Sequence, residues 1–209
     1  MSDRDDAAGF AVEKVTLRGP RVRLEPLDAE RHREGLNAAI ADGDLAALWV
    51  TTVPRPEQLD AVFAAAEAEF AAGRELAFAT VDAETGKVAG STRFLAIEPV
   101  HRRVEIGSTF LAAGYQRTHV NSEAKLLMLE HAFDSWGVNR VELLTDVLNE
   151  RSRTAIVRLG ASEEGVLRSH KVMPDGRIRD SAVYSIVRAQ WPGVRVSLER
   201  RLQSARPSE

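Results

Sequence analysis

The stretch from Tyr115 to Gly160 constrains the fold of this chain more than any other part of its sequence. A polar turn is followed by a strongly apolar helix over about 121–136, and a buried strand then covers about 140–147. Asn149 opens a second helix at the end of that strand. Two helix N-termini that follow neighbouring strands supply free backbone N–H groups and positive dipole ends, which favour an anion. The pattern therefore predicts an α/β chain that can hold a diphosphate without a glycine-rich loop.

The sequence on either side predicts further strands and helices of the same domain. Asp28 is placed to cap a helix that ends near Ala41, and Pro56 opens an alanine-rich helix. The segment 191–202 is expected to be a short docking segment followed by a charged tail. The predicted strands lie at about 22–27, 75–82, 87–97, 102–111, 140–147, 161–173 and 178–188.

Composition excludes several classes of protein. The 28 Lys and Arg and 31 Asp and Glu residues give a formal net charge of −3, which argues against general nucleic-acid or membrane-surface binding. The chain has no cysteine, so disulfides, thiolate metal sites and a cysteine nucleophile are excluded. No apolar run approaches the roughly 18 residues that a membrane span needs. The five histidines show no metal-ligand spacing, so the sequence predicts a soluble, cytoplasmic protein without a metal.

The polar turn before the apolar helix is the first candidate for binding an anion. Apolar residues cover most of the circumference of that helix, so we expect it to be buried and its first N–H groups to need partners. Either Asn121 or Ser122 simply caps the helix, or the turn wraps a pyrophosphate. The turn consists of Tyr115, Gln116, Arg117, Thr118, His119, Val120, Asn121 and Ser122.

Three segments of the chain resemble a known family. YQRTHVNSEAK, VELLTDVLNERSRTAIVRLGASEEGVLR and VMPDGRIRDSAVYSIV are similar to the GCN5-related N-acetyltransferases (GNAT), and most of all to the ribosomal-protein alanine acetyltransferases of the RimJ/RimL-like branch. The resemblance runs from about Val15 to Trp191 and implies an α/β (α+β) fold with a mixed, twisted sheet of six or seven strands. Helices would cover both faces, and the strands would splay where acetyl-CoA enters. One domain would span 14–203, between a disordered tail at 1–13 and a polar tail at 204–209.

The phosphate turn departs from the pattern of that family. The family has Gln or Arg, two residues, Gly, one residue, and then Gly or Ala; this chain keeps Gln116 but has His119 and Asn121 at the two small positions. Arg117 also replaces a common glycine. Glycine lets the backbone approach a phosphate closely, so His119 either covers the pyrophosphate or narrows the site.

Glu105 is the first catalytic candidate. It alternates with Val104 and Ile106 in a predicted central strand, where a carboxylate needs a partner or a function. One interpretation is a salt bridge to a cross-strand arginine such as Arg93 or Arg103. The other is a general base that acts through water, because an amine is mostly protonated at neutral pH and must lose a proton before it attacks a thioester.

Ser152 and Asn149 form the second candidate group. Asn149 is placed as the N-cap, and Ser152 lies one turn inside the helix, where it either completes the cap or bonds back to a carbonyl. By resemblance, Asn149 would bind the pantetheine arm and Ser152 would give a proton to the departing thiolate. Tyr184 is the other hydroxyl considered for that step.

The resemblance implies an acetyl-CoA-dependent N-acetyltransferase that joins acetyl-CoA and a primary amine in a ternary complex, with direct attack. The alternatives are a non-catalytic scaffold protein of the same fold and a transferase of a longer acyl chain. The sequence does not distinguish among a protein N-terminus, a polyamine, an amino acid and an aminoglycoside as the acceptor. A homodimer through the C-terminal strands is one alternative for the oligomeric state. The implied cofactor-binding residues are Phe110, Leu111, Gln116, Arg117, Thr118, His119, Val120, Asn121, Ser122 and Asn149.

Overall fold

Eight strands of the computed structural model, which describes residues 9–43, 45 and 48–204, form a single sheet. The strand order is β1-β2-β3-β4-β5-β6-β8-β7, and every neighbouring pair is antiparallel except β5 and β6. The predicted mixed sheet is confirmed, with one strand more than expected because the two-residue β1 joins its edge. The strands are β1 Leu17–Arg18, β2 Val22–Pro26, β3 Leu76–Asp82, β4 Val88–Glu98, β5 Arg103–Leu111, β6 Arg140–Asp146, β7 Ser162–Val172 and β8 Ile178–Val187.

Five α-helices of the described residues cover the two faces of the sheet. One hydrophobic cluster joins α1 and α2 to the sheet, and a second, larger cluster joins α3, α4 and α5 to it. Phe110 belongs to the first cluster and the next residue, Leu111, to the second, as expected for successive strand residues that face opposite sides. The helices are α1 Ala29–Ala41, α2 Leu59–Ala71, α3 His119–Glu130, α4 Glu150–Leu159 and α5 Trp191–Ser204.

Local capping explains where several helices begin. The side chain of Asp28 accepts a hydrogen bond from the Arg31 N–H, so the cap predicted for α1 is confirmed. A 3₁₀ turn over Pro56–Gln58 leads into α2, which agrees with a first-turn proline. At its other end, α3 continues as a π-helix over His131–Ser135.

The C-terminal segment differs from the prediction, because it forms the helix α5 rather than a short docking segment and a charged tail. Trp191, Val194 and Leu198 lie on one side of this helix and are buried. The Trp191 ring stacks on Phe133 at 5.3 Å between centroids. The proline and glycine at its start obscured the helical spacing of these three residues, although the first turn of a helix tolerates proline.

Both predicted tails lie partly outside the described residues, which leave out 1–8 and 205–209. Within the described part, the Phe10 ring stacks on Trp136 with 4.7 Å between centroids. No helix among the described residues is both long and apolar enough to cross a membrane.

Glu123 joins α3 to the turn between β1 and β2. Its side chain is almost completely buried, and Oε1 accepts hydrogen bonds from the backbone N–H groups of Arg21 at 2.7 Å and Val22 at 3.0 Å. The Arg21 guanidinium supplies a positive charge at 3.3 Å. A carboxylate that is buried in this way replaces the strand partner that these N–H groups would otherwise need.

Replacing Glu123 should destabilise the fold. Glu123→Ala leaves two buried N–H groups without an acceptor, so we expect the free energy of unfolding to fall by about 2–5 kcal/mol. The matched control is Glu34→Ala, which removes an exposed glutamate from α1 and should change the free energy of unfolding by less than about 0.5 kcal/mol. Urea denaturation of both variants measures the difference. Equal stabilities would show that water can replace the carboxylate.

Candidate active site

The candidate site lies where β5 and β6 separate. These parallel strands pair over only three positions, and the last pair is Glu105 with Glu142. Beyond it β5 runs on to Leu111 and β6 to Asp146 without pairing with each other, although β5 stays paired with β4 and β6 with β8. Backbone groups of β5 that face the gap are therefore free to bind a ligand. Helices α3 and α4 begin beyond the ends of these two strands, so their N-termini border the same opening.

A β-bulge changes the direction of β5 inside the opening. Between Ser91 and Arg93 the register with β4 shifts, and Ser108 has φ +46°. A Cβ atom on Gly90 would lie 2.0 Å from the Phe110 oxygen, so only glycine allows β4 to approach the strand this closely. The bulge leaves Phe110 and Leu111 at the end of β5, the two positions predicted to contact the cofactor.

Lys125 lies under this bulge and was not recognised as notable from the sequence. Its side chain is buried in α3, and its Nζ donates to Thr92 Oγ1 at 2.9 Å and to Thr109 Oγ1 at 2.7 Å. Burial lowers the pKa of Lys125 to about 7, because the low-dielectric interior disfavours the ammonium form. The amine thus joins the two strands at the bulge, through Thr92 of β4 and Thr109 of β5. Only its burial in the folded chain indicates a special role.

The polar turn before α3 differs in detail from the prediction. The helix begins at His119, and Thr118 is its N-cap, because the Thr118 side chain accepts from the Val120 N–H at 3.3 Å. The proposal that Asn121 or Ser122 caps the helix is therefore wrong, since both lie inside its first turn. Helix geometry still leaves the N–H groups of His119 and Asn121 without an acceptor from the preceding turn.

Two residues of the turn have defined conformations. Gln116 donates from Nε2 to the Leu111 carbonyl at 3.0 Å, so its side chain joins the turn to the end of β5. Arg117 has φ +62°, which is the left-handed region that glycine prefers. An arginine thus has left-handed backbone geometry at the position where the resemblance implies a common glycine.

His119 lies at the first position of α3. Burial lowers the pKa of His119, and the nearby Arg21 acts in the same direction. Its Nε2 is buried and has no hydrogen-bond partner among the described residues. At neutral pH the ring is therefore uncharged, and one ring nitrogen stays available for a hydrogen bond.

The second motif has the predicted cap. Asn149 Oδ1 accepts from the Ser152 N–H at 3.0 Å, which makes Asn149 the N-cap of α4. The half-buried Ser152 hydroxyl has no hydrogen-bond partner in the described part of the chain, so it neither completes the cap nor bonds back to a carbonyl. The Tyr184 hydroxyl, in contrast, is engaged: it donates to Glu163 at 3.0 Å and accepts from Arg153 at 3.0 Å.

Glu105 lies at the vertex of the opening on β5. Neither predicted arginine pairs with it, because Arg93 pairs with Glu75, and Arg103 pairs with Glu98 and Glu142. Within the described residues its carboxylate has no hydrogen-bond or ion-pair partner. Burial raises the pKa of Glu105, while Lys171 and Arg179 act in the opposite direction.

A groove with a volume of about 430 Å³ adjoins the bulge. It lies between α2 and the strands β4 and β5, and it is mostly apolar. Glu105 lies on β5, on the face of the sheet that borders this groove, whereas Ser152 lies in the first turn of α4. No hydrogen bond within the described part of the chain joins these two side chains. Lining residues from the helices and the two strands are Leu36, Leu59, Ser91, Arg93, Ser108 and Phe110.

Comparison with known proteins identifies related sequences and structures. The family model described as "Acetyltransferase (GNAT) domain" matches residues 21–162. YdaF of Bacillus subtilis, whose name provisionally describes a ribosomal N-acetyltransferase, is 29% identical over 108 residues, which are 52% of this chain and 58% of YdaF. The chain thus spans little more than half the length of this curated relative.

Solved structures match over a larger share of this chain and of their own chains. A GCN5-related N-acetyltransferase from Brucella melitensis is 29% identical with a TM-score of 0.82, and the match covers 95% of this chain and 92% of that one. A provisionally named acetyltransferase from T. thermophilus is 35% identical with a TM-score of 0.80, with 92% and 99% of the two chains covered. The predicted family is confirmed, and a relative named for the ribosomal branch is among the matches.

The buried amine of Lys125 should make stability depend on pH. The unfolded chain keeps its proton up to the usual pKa of 10.5, whereas the folded chain releases it at about 7. Between these values the unfolded state binds more protons, so the cost of burying Lys125 is full below pH 7 and vanishes above pH 10.5. The free energy of unfolding of the wild type, relative to Lys125→Met, should rise by roughly 1.4 kcal/mol per pH unit in this window.

Denaturation at several pH values measures this dependence. The control is Lys87→Met, which removes an exposed lysine and should leave the difference from wild type independent of pH. A constant difference for Lys125→Met would show that the buried amine keeps its proton.

Proposed function

The chain belongs to the GNAT acetyltransferase family, and on that basis we propose that it transfers an acetyl group from acetyl-CoA to a primary amine. The observation that carries this proposal is the opening between β5 and β6, which begins at Glu105 and is bordered by the N-termini of α3 and α4. An acyl donor that lies along β5 and an amine that enters from the opposite side would meet there. Binding both together supplies much of the rate by proximity.

The first turn of α3 would hold the pyrophosphate. Free N–H groups and the positive end of the helix favour a diphosphate, and the left-handed backbone of Arg117 lies directly before that helix terminus. His119 would donate or accept one hydrogen bond at the edge of this site. Asn149 would contact the pantetheine arm, and backbone N–H groups at Phe110 and Leu111 would hold the thioester carbonyl.

Glu105 would act as the general base. It is partly buried, it has no partner among the described residues, and its raised pKa brings its titration closer to neutral pH. The carboxylate takes the proton of the ammonium through water, the amine nitrogen bonds to the acetyl carbon, and the carbon–sulfur bond breaks. Ser152 would give its proton to the thiolate and regain one through water from the attacking nitrogen, which loses a second proton as the amide forms; the Tyr184 hydroxyl is already engaged.

A transferase of a longer acyl chain is the second candidate. The groove beside the bulge is lined by Leu36, Leu59 and Phe110, and its volume of about 430 Å³ exceeds that of an acetyl group. The same residues would bind CoA in both cases. Rates with acetyl-CoA and butyryl-CoA distinguish the two candidates.

Saturating CoA should protect two segments from hydrogen exchange. We expect slower exchange at 116–122 and at the start of α4, because both N-termini carry N–H groups that a ligand would bond. The amides of α5 are an internal control and should not change. Calorimetry should show micromolar binding of acetyl-CoA. Folded protein that binds none up to millimolar concentration would favour a scaffold protein instead.

Substitutions should separate the two chemical roles. Glu105→Gln removes the base, so we expect the transfer rate to fall by about 10²- to 10⁴-fold near neutral pH and to recover as free amine accumulates at higher pH. The wild-type rate should decrease as pH falls through the raised pKa of Glu105, because the protonated carboxyl cannot accept a proton. The variant should lack this limb of the profile.

Ser152→Ala is the matched comparison. It should slow transfer by about tenfold without recovery at high pH, because the thiolate is already a tolerable leaving group. Neither variant should change CoA affinity by more than about 1 kcal/mol. A Glu105→Gln enzyme with the wild-type pH–rate profile would mean that another group takes the proton.

A further inference from the structure

One face of the sheet beyond the candidate base carries a row of polar groups in register. Glu105 pairs with Glu142 of β6, and Glu142 pairs with Ser185 of β8. Directly opposed residues point to the same face, and alternate residues along a strand do so as well. The same face therefore presents, along β8 and β6, the residues Val183, Ser181, Arg179, Leu144 and Asp146.

Two cations lie at the far end of this row. Lys171 of β7 is the register partner of Arg179 of β8, so both side chains project from the same face. Neither forms a hydrogen bond or an ion pair with another described residue, and the Arg179 Nε is buried without a partner. Both are nevertheless close enough to Glu105 to lower its pKa. An unpaired anion and two unpaired cations thus share one open surface without closing on each other.

Structural pairing does not explain Arg179. The neighbouring arginine, Arg177, already neutralises the buried Asp146 at 2.5 Å. Arg177 also lies over the Trp49 ring at 5.0 Å and donates to the Trp49 carbonyl at 3.3 Å. This contact joins the β7–β8 hairpin to the segment after α1 and closes one end of the surface. Asp146 and Glu105 lie within electrostatic reach of Arg179, but neither accepts a hydrogen bond from it. The half-buried guanidinium therefore keeps an unsatisfied N–H donor, which costs free energy.

We propose that the acceptor is a small molecule in which a carboxylate lies near the primary amine, as in an α-amino acid. Its amine would lie at Glu105 and its carboxylate at Arg179 and Lys171, and the half-buried Leu144 and Val183 would contact the side chain between them. This inference rests on the proposed acetyl transfer and names the class of its acceptor. A planar guanidinium suits a carboxylate because it offers two parallel N–H donors.

The three unpaired charges match this acceptor better than a peptide N-terminus. A zwitterion brings an ammonium to the anionic Glu105 and a carboxylate to the two cations, so each charge of the surface gains an opposite one. The N-terminal residue of a peptide carries an amide where the free acid has its carboxylate. With a peptide, the Arg179 guanidinium would stay partly buried without a carboxylate to accept its free N–H donor, which is unfavourable.

The test compares free amino acids with their C-terminal amides as acceptors. Each pair differs only in the carboxylate, and short peptides form a third series. The intact chain is assayed with acetyl-CoA by release of thiol, which reports CoA alone because the protein has no cysteine. We expect at least one amino acid to be acetylated with a kcat/KM about 10- to 100-fold above that of its amide, the effect of one charge-assisted hydrogen bond pair.

Variants then assign the preference to Arg179. Arg179→Gln should lower kcat/KM for the acid, mainly through KM, by about 10- to 100-fold more than for the amide, and Arg179→Lys should restore part of the loss. Activity with the amide shows that the variant is folded. The control Arg200→Gln removes an exposed arginine from α5 and should affect neither series.

Several results would overturn the inference. These are equal use of acids and amides, a preference for peptides, an equal loss for both series in Arg179→Gln, or no acetylation of any amino acid or amide. Failure of the proposed function is a separate result, because it requires in addition that peptides and polyamines are not acetylated and that calorimetry detects no binding of acetyl-CoA.

Discussion

Parallel pairing of β5 and β6 ends at Glu105 and Glu142, and the candidate site depends on that short pairing. Had the strands paired along their full length, the backbone groups at the end of β5 would bond to β6 and would be unavailable to a ligand. The bulge at Ser108 adds to the separation, because an extra residue bends the strand and increases its twist. The helices after these two strands consequently begin at the rim of the opening rather than at a closed sheet edge.

Charged residues buried in α3 hold this arrangement in place. Glu123 supplies acceptors to the turn between β1 and β2, and Lys125 supplies donors to two threonines beneath the bulge. Both lie among buried apolar residues of the same helix, where unpaired polar atoms would be costly. The helix that presents its N-terminus to the opening is therefore fixed at two points, one beside β2 and one beside β5. The stability of the fold and the geometry of the site are coupled through these side chains.

The charges on the open face follow a different pattern. Most carboxylates near the opening have partners: Glu142 contacts Arg103 and Arg140, and Asp146 contacts Arg177. Glu105, Lys171 and Arg179 lie among these pairs without joining them, although Glu105 is within electrostatic reach of both cations. Groups that folding leaves unpaired in this way are the ones with most to gain from a ligand of complementary charge.

Local sequence patterns determined the order of elements, the caps at Asp28 and Asn149, and the position of Glu105 on a strand, because short-range spacing and turn chemistry decide these features. The family resemblance added the splayed sheet, which the β5–β6 pairing confirms. The tertiary structure alone decided that Thr118 caps α3 and that 191–204 folds as a helix. It also decided the burial of Lys125 and left the buried Arg179 Nε without a hydrogen-bond partner among the described residues. These features depend on contacts between residues far apart in the chain, and the spacing of residues within one segment carries no information about such contacts.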